Sequence, residues 1–123
     1  MPRLLAFLAL LALACPPARA DTVIHPGGRT SQPASGTITL GGTFQPLFPA
    51  NPDRSGCIVQ NTGTHVLYVF LGPIANATLL NSIQVAIGAT FACANVGGTI
   101  VITDAISITT STTADPFVAF FQN

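Results

Sequence analysis

Few side chains in this sequence of 123 residues can do proton, nucleophile or metal chemistry: two His (His25, His65), four Asp (Asp21, Asp53, Asp104, Asp115) and three Cys (Cys15, Cys57, Cys93), with no Lys, Glu or Trp. The missing types exclude whole mechanisms. Schiff-base formation, Lys-dependent phosphate loops and Glu general acids have no residue to work with. A Ser-His-Asp relay could use His65 with one of the Asp residues, yet no Ser stands in a G-x-S-x-G turn. No C-x-x-C or H-E-x-x-H spacing is present to gather metal ligands. Glycoside hydrolysis needs two carboxylates flanking one bond. Asp53, Asp104 and Asp115 instead stand in turn-like contexts (NPDRSG, ITDAI, TADPF), where a short carboxylate bonds nearby backbone amides. The expectation is a non-enzyme with no catalytic residue, no metal site and no cofactor. His65 reads as a strand-edge polar residue and His25 as a solvent-exposed one.

Two polar residues read as structural. Arg54, in Asn51-Pro52-Asp53-Arg54-Ser55-Gly56, precedes a strand, where a guanidinium can bond several turn carbonyls and lie over an apolar face; a ligand contact is its alternative role. Asn61 closes that strand and suits the organisation of a hairpin turn over Asn61-Thr62-Gly63-Thr64.

The elements that position these residues begin with an export signal. Met1-Pro2-Arg3 is a short positive start, Leu4 to Ala14 is an unbroken run of Leu, Ala and Phe, and Ala18-Arg19-Ala20 offers the small residues of a cleavage site. The run falls short of the roughly 20 residues a spanning helix needs. Residues 1–20 are therefore expected to be a signal peptide cleaved after Ala20, directing the chain to the periplasm or the exterior. Cleavage leaves Arg29 and Arg54 against four Asp, a net side-chain charge of −2. Two separated Arg cannot track phosphates or hold a membrane surface, so nucleic acid and stable membrane insertion are not expected. Cys57 and Cys93 remain, with one possible intrachain pairing over a span of 36 residues. In an oxidising compartment such a bridge contributes about 3–4 kcal/mol. Two buried thiols, or bonds to another chain, are the alternatives.

Residues 21–35, broken by Pro26, Gly27, Gly28 and Pro33, read as an extended arm. Residues 36–123 read as one domain of short Val-, Ile-, Thr- and Phe-rich runs at 36–40, 43–48, 56–61, 65–71, 82–86, 89–93, 98–102, 105–109 and 116–122. Gly- and Asn-rich turns separate them, and no run carries a helical stripe. This predicts an all-β fold, a small single-domain antiparallel β-sandwich or barrel-like sandwich. Alternation makes 105–109 half-buried, with Ile106 and Ile108 opposite Ala105, Ser107 and Thr109. The 65–71 run is apolar on both faces, so Val66, Tyr68 and Phe70 need cover from the 72–81 loop or from another subunit. Phe117, Phe120 and Phe121 crowd the last run, which must likewise be paired, packed or bound. These six residues form the candidate contact surface.

The block NPDRSGCIVQNTGTHVLYVF from Asn51 to Phe70, then Ser82-Ile83-Gln84-Val85, Ile87-Gly88-Ala89-Thr90-Phe91 and Asp104-Ala105-Ile106-Ser107-Ile108, resembles small β proteins encoded among tailed-phage and prophage structural genes. The matching positions are Asn51, Arg54, Gln60, Asn61, Tyr68, Gly72, Gly88, Ala105, Ile106 and Ser107, within roughly residues 43–121. The resemblance implies a virion or accessory structural part without enzymatic activity. It departs from that pattern in its export signal. The function expected is an exported, non-catalytic structural module, of phage or prophage origin, that works through self-association or contact with another surface or virion protein. The alternative is a small periplasmic module binding a carbohydrate or a hydrophobic ligand.

Overall fold

The computed structural model describes residues 31–94 and 101–123. The expected signal peptide, the arm as far as Thr30 and most of the 98–102 run lie outside the described residues. Among the described residues nine strands follow in order: β1 (Ser31–Pro33), β2 (Gly36–Thr37), β3 (Gln45–Phe48), β4 (Gly56–Asn61), β5 (Leu67–Leu71), β6 (Ile83–Val85), β7 (Thr90–Ala92), β8 (Ile106–Thr109) and β9 (Pro116–Gln122). Two short 3₁₀ turns, Ile74–Asn76 and Leu79–Asn81, stand between β5 and β6. No helix among the described residues is long and apolar enough to cross a membrane.

The strands form two antiparallel sheets. The first runs β1-β9-β4-β7, with β2 also pairing β9; the second runs β3-β8-β5-β6. Alternation along β4 and β9 turns Cys57, Val59, Phe117 and Ala119 inward, where they meet Leu67, Val69, Ile106 and Ile108 of the second sheet in a shared core. The chain is thus an all-β, antiparallel sandwich.

Several local expectations are corrected by pairing. The Asn61 turn does not close a hairpin, because β4 and β5 belong to different sheets. It carries the chain across the sandwich instead, as does the turn at Gly88 between β6 and β7. The expected strand at 36–40 pairs only over Gly36–Thr37, while Ile38 bonds to the Ala114–Asp115 backbone. β8 is not half-buried: Ser107 and Thr109 are as buried as Ile106 and Ile108. The reason is its central place. Ser107 lies between Pro46 of β3 and Phe70 of β5, and Thr109 lies opposite Tyr68, so larger neighbours close over the small side chains.

Candidate functional site

The end of the sandwich where β4 begins and β9 finishes is built around Arg54. Its guanidinium is buried. Nη1 donates to the carbonyls of Ile102 at 3.0 Å and Asp104 at 2.9 Å, and Nη2 donates to Pro49. The cation also lies 5.5 Å from the centre of the Phe48 ring. Burial lowers the Arg54 pKa and the Asp104 charge opposes that shift; an Arg starts so far above neutrality that it stays charged. Asn51 completes the knot: its amide donates to Thr103 O, its side chain donates to Asn123 Oδ1, and its Oδ1 accepts from Asp53 N. Hence Asn51, not Asp53, caps this turn. Arg54 thereby joins the 49–55 turn to the 102–104 segment, with its buried Nε left without a partner among the described residues.

At the opposite end Asp115 is buried beneath the turn that follows β4. Its carboxylate accepts from Thr64 N at 2.8 Å, His65 N at 3.1 Å and Thr64 Oγ1 at 3.3 Å. Burial raises its pKa, but these bonds and the nearby His65 outweigh burial and hold it below the usual carboxylate range. Gly63 is required here, because a Cβ would stand 2.5 Å from Asp115 Oδ1. Asn61, also buried, donates to His65 O at 2.8 Å and Val85 O at 2.9 Å and accepts from Gly63 N at 3.0 Å, so it secures both turns that cross between sheets. The expectation that Asp115 caps its own turn is therefore corrected: its partners lie some fifty positions away.

His65 touches Asp115 Oδ2 at 3.3 Å and Thr64 Oγ1 at 3.0 Å, both through Nδ1. A nucleophile relay needs the carboxylate on one ring nitrogen and the hydroxyl on the other. This arrangement cannot relay a proton from Thr64 to Asp115 through the ring. Among the described residues no group of three or more His, Cys, Asp or Glu converges as metal ligands do.

Cys57 and Cys93 form a disulfide with their Cα atoms 4.9 Å apart. The bridge ties β4 to the residue just after β7, inside the first sheet, and Cys93 N also donates to Cys57 O at 2.9 Å.

The six residues of the expected contact surface do not share one face. On β9, Phe117 is buried and the Phe121 ring packs 5.2 Å from Phe48, so both belong to the interior. On β5, Phe70 is buried beside Phe44, 6.3 Å away edge-on, and beside Gly72, so its cover comes from within the chain. Tyr68, on β5 of the second sheet, is half-buried, and Val66, in the connection just before that strand, is exposed. Only Phe120 faces outward from the first sheet. It is 41% exposed, and its cross-strand partner Ile58 is 48% exposed. Together with Gly56, Ala92, Val101 and Gln122 they line a groove of about 710 Å³. Alternation along β4 sets Ile58 opposite Cys57 and Val59, a signal present in the sequence that the clustering of aromatic residues on β9 outweighs.

No protein-family model matches the chain, and no curated protein matches it. Among solved structures it is similar to a chain of the Bacillus endospore appendages, described as a novel family of disulfide-linked pili. Identity is 20%, coverage is 78% of this chain and 87% of that chain, and the TM-score is 0.40. A likeness of that size assigns no function.

Proposed function

We propose that the protein is an exported, non-catalytic structural module that works by contact, associating with copies of itself or with another surface protein through the outer face of the first sheet. One observation carries this reading: Ile58 and Phe120, directly opposed on the two central strands, present apolar side chains to solvent above the groove. Central strands of a two-layer sandwich have their inner faces satisfied by the core, so an apolar outer face is surplus to folding. Burying a side chain of this size is worth about 1.5–3 kcal/mol. A phage or prophage origin rests on the sequence resemblance.

The test is the assembly state of the processed, oxidised protein by light scattering over a range of concentrations. Association that is lost in Ile58→Asp, with the circular-dichroism spectrum unchanged, supports the reading. A strict monomer at high concentration sinks its self-association form. The groove volume favours one second reading, because small-molecule sites span about 300–1,000 Å³. That ligand would be hydrophobic rather than a sugar, since among the described residues of the groove lining Phe120 alone carries an aromatic ring and Tyr68 lies on the other sheet. A monomer whose melting temperature rises with an apolar ligand, and whose Ile58→Asp variant does not respond, would establish that reading instead.

A further inference from the structure

The groove is not the sole apolar feature left uncovered. The connection between β5 and β6 carries Leu79, 48% exposed, and Leu80, 101% exposed, on the second 3₁₀ turn. This turn is held rigidly. Thr78 and Asn81 cap one another reciprocally, Asn81 Nδ2 donates to Asn76 O at 3.0 Å, and Ser82 Oγ donates to Thr78 O at 2.6 Å. A pair of leucines is thus displayed on a pre-ordered support, so little conformational freedom would be lost on contact.

Charge permits this knob to meet the groove. From Ser55 to Thr103 the sequence has no Asp, Glu, Lys or Arg, which takes in the whole loop, and the described residues of the groove lining carry no charged side chain either. Neither surface would strip water from an ion when the two come together. The two features also belong to different sheets: the loop joins strands of the second, and the groove opens on the outside of the first. A two-fold contact would have to seat both knobs in both grooves at once, whereas a single knob-to-groove contact pairs copies head to tail.

Resting on the reading of the groove as a contact surface, we propose that its occupant is the Leu79–Leu80 turn of a second copy of this chain. Each copy would then offer a knob to one neighbour and a groove to the other, and association would propagate as a chain that stays open or closes into a ring according to the rotation between copies.

Complementation of two variants tests this in the processed, disulfide-bonded protein by sedimentation velocity. L79S/L80S removes the knob at exposed positions and keeps the groove; Ile58→Glu blocks the groove and keeps the knob. Each alone should be monomeric, with self-association weakened at least about tenfold, as removal of a buried apolar anchor requires. An equimolar mixture should give a 1:1 heterodimer and nothing larger, while the unaltered protein gives a ladder of species. If Ile58→Glu does not fold, Phe120→Glu takes its place. Assembly of L79S/L80S at the unaltered level overturns the inference and leaves the groove as a self-complementary surface. Failure of the mixture to form the heterodimer also overturns it. A monomeric unaltered protein overturns both this and the self-association on which it rests.

Discussion

At one end of the sandwich a guanidinium gathers three carbonyls; at the other a carboxylate gathers two amides and a hydroxyl. Both Arg54 and Asp115 are buried, and each ties a turn to a segment some fifty residues away. The loops at a sandwich end have few ladder bonds, so their orphan backbone groups must find partners, and a single charged side chain with several bonding directions serves several at once. The two solutions differ in one respect. The Arg54 charge is permanent over any ordinary pH, whereas the Asp115 charge depends on a proton. Of the two clamps, only the one at Asp115 is therefore sensitive to acid.

The largest effect that can break this symmetry is Arg54→Met. It keeps much of the side-chain volume over Phe48 but leaves the carbonyls of Pro49, Ile102 and Asp104 without their donor. A loss of about 3–5 kcal/mol is expected, read from urea denaturation at neutral pH. Arg54→Lys should recover only part of it, because an ammonium cannot reproduce the fork.

The next effect, Asp115→Asn, should cost about 2 kcal/mol, since an amide NH₂ would face donors that need an acceptor. It sharpens the comparison through pH. The Asp115 pKa is lowered in the folded chain, so its contribution is complete above the ordinary carboxylate range and fades as pH falls through the folded value. Plotting the urea midpoint from neutral pH down to about pH 3 should show an acid limb that flattens in Asp115→Asn and persists in Arg54→Met. An acid limb equally steep in Asp115→Asn would place the proton-sensitive group elsewhere.

The smallest expected effect concerns Ala114, which sits at φ 64°, a left-handed conformation that L residues avoid. It is held there because its amide donates to Ile38 O at 2.7 Å while Asp115 O accepts from Ile38 N at 2.9 Å. Ala114→Gly should relieve the strain and stabilise the Asp115 end by about 0.5 kcal/mol, net of the greater freedom of Gly in the unfolded chain. A calorimetric melting temperature at two pH values measures it.

Much of this architecture could be read from local pattern, and the remainder depends on pairing. β4 and β9 begin and end where composition places them, because long β-branched and aromatic runs bounded by turn residues have few other fates. β2 is shorter than its run, since Ile38 leaves the ladder to serve the Asp115 turn. The burial of Ser107 and Thr109 follows from which strands flank β8, which no window of five residues contains. The Arg54 clamp is legible through its turn, but two of its three acceptors lie near residue 103 and carry no signature. Asp115 offers a sharper case, as TADPF looks like a self-capping turn and the amides it serves are those of Thr64 and His65. Crowding of Phe117, Phe120 and Phe121 suggests a surface until alternation sorts them, two inward and one outward.

The pairing of Ser31 with Gln122 brings the start of β1 beside the finish of β9, in antiparallel register. Tension applied between those two points would meet the ladder end-on and open it one rung after another, as a zipper yields, rather than shearing all rungs together. β9 would peel away from β4 next, since Gly56 is the rung opposite Gln122. The covalent link between Cys57 and Cys93 would then keep β4 joined to the β7 edge after its other neighbour had gone. Mechanical yielding would therefore proceed from the shared corner of the first sheet inward, and the sulfur bridge marks where extension of the enclosed segment would stop.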